Sequence, residues 1–451
     1  MSAHHADHAW LPQGWAADVR LQVAGDGSLC EARAGTTAAT LGRWLLPGLP
    51  NTHSHAFQRA MAGLTERQGH PQDSFWTWRE LMYRFAGRIT PESLHAIASQ
   101  LYAEMLEAGY TSVCEFHYLH HDIDGRPYAD PAAMSLALVE AARETGIGLT
   151  LLPTLYLTGG FDGRPLNERQ RRFGHTVESF LTLLQRLRTM QDGQLRVGLA
   201  FHSLRAVPEE AMRAVLDAVA GEDLPIHIHI AEQLAEVQDS LALRGARPVQ
   251  WLLDRMPVDA RWHLVHATHL TGDEVRGIAA SGAGVVLCPT TEANLGDGLF
   301  PLRDYLDAGG VWSIGSDSHV SVSPVEELRW LEYGQRLVAH RRNIAVAAGQ
   351  PSTGAHLFAQ ALAGGARAAG RAVGALAPGH RADFVVLDEH APILAGATPD
   401  DLLDRWLFSG NRPLVREVFV GGRRVVADGR HVHADRIAER YRRVLPQLLQ
   451  D

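Results

Sequence analysis

Along the middle of the chain, apolar residues form strand-like runs and helix-like spacings in regular alternation. Short apolar runs predict buried strands at 111–117, 148–157, 196–202, 225–230, 261–267, 284–288 and 311–316. Spacings of three and four predict helices at 91–107, 131–144, 176–190, 208–220 and 272–280, a helical region up to 254 and a short helix after 301. With an apolar stretch at 46–55 there are eight strands with helical connections. This order predicts an α/β fold, the (β/α)8 or TIM barrel.

Both ends of the chain carry short strand patterns instead. Residues 11–45 contain strands and turns, and β-rich runs recur at 382–387, 417–420 and 424–427. These pieces are too short to form separate cores. We therefore predict a small β-sandwich domain built from residues 1–45 and 371–451, the latter ending in a helix. The barrel is expected to occupy residues 46–370.

Composition narrows the class of protein. The chain has 451 residues, 46% of them hydrophobic, which is globular composition. A net charge of −9 without long runs of one sign disfavours nucleic acids and membranes as partners and favours a small-molecule substrate. Three separated cysteines and the absence of a signal or apolar span favour the cytoplasm. His4, His5 and His8 are expected in a disordered terminus.

Polar residues recur where the predicted barrel strands end. In a (β/α)8 barrel these ends meet at one mouth, where the chemistry of such enzymes takes place. Candidate chemistry is therefore carried by the strand-end residues His53, His55, His117, Tyr118, His202, His229, His266, Cys288 and Asp317.

Two histidines one residue apart suggest a metal site. His53 and His55 share one face of the first strand, about 7 Å apart. Such a pair alone is weak evidence in a chain with 24 histidines. With His229 and Asp317 it forms a set of three nitrogens and one oxygen, which suits Zn²⁺, while Fe²⁺ stays open. His227 should pack one pleat deeper.

These motifs resemble the amidohydrolase superfamily over nearly the whole chain: an H-x-H after a Pro-Gly stretch, histidines on the fifth and sixth strands, and an aspartate ending the eighth. The resemblance implies His53, His55, His229 and Asp317 as ligands of one metal ion. It implies Glu232, His266 and Asp317 as catalytic residues. From its position alone, Glu232 is equally well read as an acid at a helix N-terminus.

Longer strings are similar to the deiminases that act on N-formimino-L-glutamate in histidine degradation. They are N-T-H-S-H-A-F-Q-R-A-M-A-G, F-W-T-W-R, C-E-F-H-Y, H-S-L-R-A-V and S-D-S-H-V-S-V-S-P. The similarity implies a homodimer and a substrate with carboxylates, which arginine can bind with two hydrogen bonds. The implied substrate-binding residues are Gln58, Arg79, Tyr118, His202 and Arg205. Arg79 lies in an aromatic-rich insertion, 57–88, that could fold over the barrel as a lid.

The expected reaction is hydrolysis of the formimino group to N-formyl-L-glutamate and ammonia. Two alternatives stay open at this point. One is an aminohydrolase of the same superfamily that acts on a purine, pterin or triazine ring, which would need an apolar stacking pocket. The other is a non-catalytic barrel used in assembly, which would be expected to have lost ligands or Glu232.

Overall fold

A computed structural model describes residues 2–35, 40–68 and 74–449. Its strands are β1 (Ser2–Leu11), β2 (Gly14–Val23), β3 (Leu29–Ala34), β4 (Thr40–Pro47), β5 (Leu49–Ser54), β6 (Tyr110–His117), β7 (Gly148–Leu155), β8 (Leu195–Val197), β9 (Leu199–Ser203), β10 (Ile226–Ile230), β11 (Trp262–His266), β12 (Gly284–Leu287), β13 (Val311–Ile314), β14 (Phe384–Leu387), β15 (Val415–Val420), β16 (Arg423–Ala427) and β17 (Arg430–His431).

The helices lie mainly between and after the barrel strands. They are α1 (Phe75–Ala86), α2 (Pro91–Ala108), α3 (Ala133–Thr145), α4 (Val177–Arg188), α5 (Glu209–Ala218), α6 (Leu234–Arg244), α7 (Pro248–Arg255), α8 (Gly272–Ser281), α9 (Pro289–Leu295), α10 (Leu302–Asp307), α11 (Pro324–Ala339), α12 (Thr353–Ala369), α13 (Leu402–Phe408) and α14 (Ala434–Leu449). Short 3₁₀ helices span Ala56–Met61, Glu168–Phe173 and Pro392–Leu394.

Eight parallel strands form the predicted barrel, in the order β5, β6, β7, β9, β10, β11, β12 and β13, with β8 beginning the fourth strand ahead of β9. The first and eighth strands meet through backbone hydrogen bonds. The amides of Ser316 and Asp317 donate to the His53 carbonyl at 3.1 and 3.0 Å, and the His55 amide donates to the Asp317 carbonyl at 3.2 Å. Gly315 permits this approach, because a Cβ there would lie 2.6 Å from the Cβ of His53.

The predicted strands and helices of the barrel are confirmed, with boundaries that differ by a few residues. The predicted helical region up to 254 is two helices, α6 and α7. Helices α1, α9, α11, α12 and α13 were not predicted. Two of these, α9 and α13, have only seven residues each, which is too short to show a helical period. The helix α12 is rich in alanine and glycine and buries most of its surface, so it lacks a polar face.

The two ends of the chain form one eight-stranded sheet, in the order β17, β16, β15, β14, β4, β1, β2 and β3. The ends are joined where β14 pairs antiparallel with β4. Buried apolar side chains from both ends of the chain form one cluster on this sheet, among them Val19 in β2 and Phe419 in β15. The prediction that both termini build one separate β-structure is therefore confirmed, in the form of a single eight-stranded sheet. We retain the division at residues 45 and 370 as a proposal.

The three N-terminal histidines are ordered, contrary to the expectation of a disordered terminus. They lie in β1, which pairs with both β2 and β4. His4 packs edge-on against Phe384 and Phe419, and His8 stacks on Trp44 at 4.7 Å. The N-terminus is ordered because its strand, β1, is hydrogen-bonded on one side to β2 and on the other to β4.

The predicted insertion at 57–88 contains the 3₁₀ helix Ala56–Met61 and the helix α1. Helix α1 borders the barrel mouth, where Phe75, Trp78 and Arg79 line the central pocket. Residues 69–73 of the insertion lie outside the described residues. Among the described residues, none of the helices has the length and apolar character needed to cross a bilayer.

Candidate active site

Four predicted ligands converge at the barrel mouth. His53 lies at the end of β5 and His55 directly follows that strand, His229 lies on β10, and Asp317 follows β13. Their ligand atoms all lie within 4.8 Å of one another. The Nε2 atoms of His53 and His55 are each 3.3 Å from Oδ1 of Asp317, and Nε2 of His229 is 3.0 Å from Nε2 of His53.

The donor set fits one divalent metal ion. The Nδ1 atoms of His55 and His229 are 2.8 and 3.0 Å from the carbonyls of Phe116 and His202, so these nitrogens carry the protons and Nε2 presents a lone pair inward. Burial, and after it the neighbouring histidines, hold the pKa of His53 and His229 well below the usual range. Neutral nitrogens at this separation repel unless a cation lies between them. The three nitrogens and one carboxylate oxygen are ligands typical of a catalytic zinc site.

The predicted catalytic residues lie on one side of this cluster. Nε2 of His266 is 4.0 Å from Oδ2 of Asp317, and Nδ1 is 3.2 Å from Oε1 of Glu292. Burial lowers the pKa of His266, but the charge of Glu232 and the hydrogen bond with Glu292 outweigh it and raise the pKa to about 10. Burial also raises the pKa of Glu232. A carboxyl group that holds its proton more tightly than usual is suited to carrying one.

A pocket opens above the cluster and contains the predicted substrate-binding residues. Its empty space, including the open solvent at the mouth, is about 670 Å³. Gln58, Arg79, Tyr118, His202 and Arg205 all line it, together with Glu232, His266 and Asp317. The amide of Gln58 donates to the Tyr118 hydroxyl at 3.0 Å, and its Oε1 is buried without a partner among the described residues. His202 packs against the Tyr118 ring at 5.4 Å.

Among the described residues, the two pocket arginines form no close ion pair, although Glu232 and Glu236 interact electrostatically with Arg205. Within the described part of the chain, no carboxylate lies within 4.0 Å of the guanidinium group of Arg79 or Arg205, whereas many other arginines form ion pairs. The Nε atom of Arg79 is buried and has no hydrogen-bond partner within the described part of the chain. Unpaired guanidinium groups beside a metal cluster can receive a substrate carboxylate.

His227 lies deeper in the barrel, as predicted. Its Nε2 is 2.9 Å from the Ala368 carbonyl on α12, and its ring packs against His263 at 4.9 Å. The side chain is fully buried. It therefore belongs to the barrel interior and not to the pocket.

Sequence reasoning missed the acidic residues that support the site. Glu236 on α6 accepts hydrogen bonds from the backbone amides of Ala231 and Glu232, both at 3.1 Å. Ala231 has a φ of 51°, a strained conformation for alanine. Glu236 therefore stabilises the turn that places Glu232. A glutamate four residues after Glu232 on a predicted helix was a possible signal for this contact.

A second buried acid, Glu115, stabilises the segments that carry the metal ligands. Glu115 on β6 accepts hydrogen bonds from the Ser54 hydroxyl at 2.6 Å, the Ala56 amide at 2.7 Å and the Tyr102 hydroxyl at 3.2 Å. Ser54 also lies 3.1 Å from Nε2 of His319. Burial raises the pKa of Glu115 to about 7. This network joins the segments that carry His55 and Asp317.

Replacing Glu115 with alanine is expected to lower the free energy of unfolding by about 3 kcal/mol, because three buried donors lose their acceptor. Thermal and urea unfolding of the purified variant measure the change. Glu115→Gln keeps one carbonyl oxygen and should lose less, and Glu140→Ala on the exposed face of α3 should lose almost nothing. An unchanged midpoint for Glu115→Ala would show that the network has no structural role.

Several residues at the same strand ends have strained backbone conformations, as do residues elsewhere such as Asp18 and Asp428. Positive φ values occur at His266 (68°), Ala267 (49°), Asp317 (43°) and His319 (61°). Non-glycine residues rarely adopt such values, and they are found most often at functional sites where the surrounding structure holds them. The strain thus coincides with the metal cluster and the catalytic candidates.

Comparisons with known proteins agree with this geometry. Residues 44–425 match the family model described as the amidohydrolase family. The chain belongs to the amidohydrolase family. Residues 1–41 match the N-terminal domain of formimidoylglutamate deiminase HutF. The resemblance found in the sequence motifs is therefore confirmed.

Several relatives in this family are deaminases or deiminases. A formimidoylglutamate deiminase from Pseudomonas aeruginosa is 56% identical over 100% of both chains. An 8-oxoguanine deaminase from the same organism is 29% identical, covering 85% of this chain and 82% of the relative. A crystal structure of an amidohydrolase from Brucella melitensis superposes over 100% of both chains with a TM-score of 0.95 at 45% identity.

A more distant structure shares the fold alone. An adenosine deaminase from Xanthomonas campestris with bound zinc has a TM-score of 0.82 at 21% identity, covering 99% of this chain and 98% of that one. The similarity to these structures and the strand order both confirm the predicted (β/α)8 barrel.

Proposed function

We propose that this amidohydrolase hydrolyses N-formimino-L-glutamate to N-formyl-L-glutamate and ammonia in histidine degradation. The observation that carries the proposal is the pair of pocket arginines, Arg79 and Arg205, in the same pocket as the metal cluster. Among the described residues, no carboxylate lies within 4.0 Å of either guanidinium group. The substrate has two carboxylates and one formimino carbon, so it needs both features in one pocket. The full-length relative named formimidoylglutamate deiminase supports this substrate.

We propose Zn²⁺ as the ion held by His53, His55, His229 and Asp317, with Fe²⁺ as the alternative that takes similar ligands. A divalent ion there supplies Lewis-acid activation of a water molecule. The cluster comprises one set of four ligands, so one ion is expected. The homodimer and the cytoplasmic location stay predictions.

The chain's own residues account for the remaining steps. Asp317 accepts a proton from the attacking water. Glu232 carries a proton to the terminal nitrogen, whose bond to the formimino carbon then breaks. Both hydrogens that convert this =NH group to ammonia come from the water, whose oxygen stays on the carbon. His266 donates a hydrogen bond to that oxygen as negative charge develops on it.

The other pocket residues bind and orient the substrate. Arg79 and Arg205 bind its carboxylates, and the free Oε1 of Gln58 accepts from a substrate N–H group. Tyr118 and His202 form the wall beside His55, where the Tyr118 ring packs at 4.9 Å. This arrangement holds the formimino carbon at the metal cluster.

Two observations argue against the alternatives. A ring-specific aminohydrolase needs an apolar stacking pocket, whereas this pocket is lined by two arginines. Among the described residues, neither guanidinium group has a carboxylate within 4.0 Å. A non-catalytic assembly barrel would not need the complete ligand set together with Glu232 and His266. The arginines favour a substrate that carries carboxylates, and the complete ligand set with Glu232 and His266 favours catalysis.

Replacing Arg205 with alanine should raise KM for N-formimino-L-glutamate by about 100-fold, since a charge-assisted hydrogen bond to a carboxylate is lost. Ammonia release from formiminoglutamate, formiminoaspartate, guanidinoglutarate and guanine provides the measurement. Arg276→Ala, which breaks an exposed ion pair on α8, is the matched control. Wild-type turnover of guanine but not of the formimino acids would instead establish the ring-specific alternative.

A further inference from the structure

Helix α1 places one tryptophan against both pocket arginines. The guanidinium carbon of Arg79 lies 4.5 Å from the centroid of the Trp76 ring, and that of Arg205 lies 5.9 Å from the same ring. Arg79 is on α1 itself, whereas Arg205 follows β9 on the barrel. Trp76 therefore connects the helix at the pocket's edge with the barrel mouth.

The start of α1 fixes the backbone of this tryptophan. The Ser74 hydroxyl accepts from the Trp76 amide at 3.3 Å, and the Thr77 hydroxyl accepts from the Ser74 amide at 3.0 Å. This is a capping box, which sets where the helix begins. Arg79 follows three residues later, so it lies on the same face of the helix as Trp76.

Two like charges in one pocket repel each other. Glu232 and Glu236 line the same pocket and interact electrostatically with Arg205, but among the described residues no carboxylate lies within 4.0 Å of either guanidinium group. The face of an indole ring attracts a cation without carrying a negative charge, by about 0.5–2 kcal/mol according to its exposure. Trp76 can hold both guanidinium groups and leave their hydrogen-bond donors free. An acidic residue in its place would compete with the substrate for those donors.

Charge complementarity then defines the ligand. Two held guanidinium groups match two carboxylates, the number in the proposed substrate. We propose that Trp76 is a specificity-determining positioning residue that holds Arg79 and Arg205 together as one receptor for a dicarboxylate, an inference that rests on the proposed function. Tyr83, whose ring is 5.5 Å from the Arg79 guanidinium, contributes to one half of this receptor only.

The test distinguishes recognition of the two substrate carboxylates from the mere loss of side-chain volume at Trp76. For Trp76→Leu, we expect KM for N-formimino-L-glutamate to rise about 10- to 30-fold, the equivalent of losing two cation–π contacts. The value of kcat should stay within about three-fold, because Trp76 does not touch the reacting group. KM for formiminoglycine, which has one carboxylate, should rise much less. Trp76→Phe keeps an aromatic face and should give an intermediate effect.

Two further variants serve as controls. Trp78→Leu removes the same bulk from the same helix and should affect both substrates alike, while Trp330→Leu, exposed on α11, should affect neither. An equal rise in KM for both substrates in Trp76→Leu would overturn the proposal, as would no rise for either.

A binding measurement tests the role of Trp76 independently of catalysis. Calorimetry with N-formyl-L-glutamate, which has the same two carboxylates, should show weaker binding to Trp76→Leu by a similar factor. If wild-type protein releases no ammonia from formiminoglutamate, the proposed function fails, and the calorimetry still decides the role of Trp76. Equal affinity in wild type and both Trp76 variants would exclude the dicarboxylate receptor.

Discussion

Replacing Glu232 with glutamine is expected to lower kcat for formiminoglutamate by about 10³-fold, within the range that a positioned general acid–base group contributes. Glutamine has nearly the same shape and keeps an oxygen, but it cannot carry a proton. Glu232 lies in the pocket with a pKa raised by burial, and its backbone is held by Glu236. The side chain therefore has the position and the proton affinity that transfer to the leaving nitrogen requires.

The measurement is ammonia release at saturating substrate, with the metal content of each preparation determined in parallel. Glu210→Gln, an exposed change of the same kind on α5, should leave kcat unchanged. If Glu232→Gln turns over near the wild-type rate with its metal still bound, another group transfers the proton.

Removal of the metal ion is expected to lower activity by at least about 10³-fold, because water loses the Lewis acid that activates it. The midpoint of thermal unfolding should also fall, since an ion that binds the folded state stabilises it by mass action. The loss of stability has a local cause. Three imidazole nitrogens and the Asp317 carboxylate then face one another within 4.8 Å without a cation.

Dialysis against a chelator, followed by metal analysis and titration with Zn²⁺ or Fe²⁺, measures both effects. Activity should return in proportion to the bound ion and reach its maximum at one equivalent per chain. Full activity in protein that holds less than about 0.1 equivalent of metal would contradict hydrolysis assisted by this cluster. Two equivalents at full activity would contradict the single-ion site.

The barrel and its mouth could be predicted because they depend on local, periodic information. Buried parallel strands are continuous apolar runs, and the intervening helices repeat every three to four residues. Once eight strands are counted, the geometry of a closed parallel barrel brings their carboxyl ends together. The eleven residues proposed for the site were identified in this way and from motif resemblance, and the structure brings them to one mouth.

The supporting residues could not be found by the same reasoning. Glu115 lies on a strand far from Ser54 in sequence, and its role depends on three donors that only the folded chain brings to it. Trp76 looked like one aromatic residue of a lid. Its contact with Arg205, 129 positions further along the chain, depends on how α1 lies against the barrel.

By itself, the sequence determined the class of fold, the end of the barrel that carries the chemistry, and the residue types at the metal cluster. These follow from periodicity and from strand polarity, which neighbouring residues encode. Only the tertiary structure decided which side chains hold the ligands, Glu232 and the two arginines in place. Such contacts join residues distant in the chain, and their energy depends on burial and on distances that no local pattern specifies.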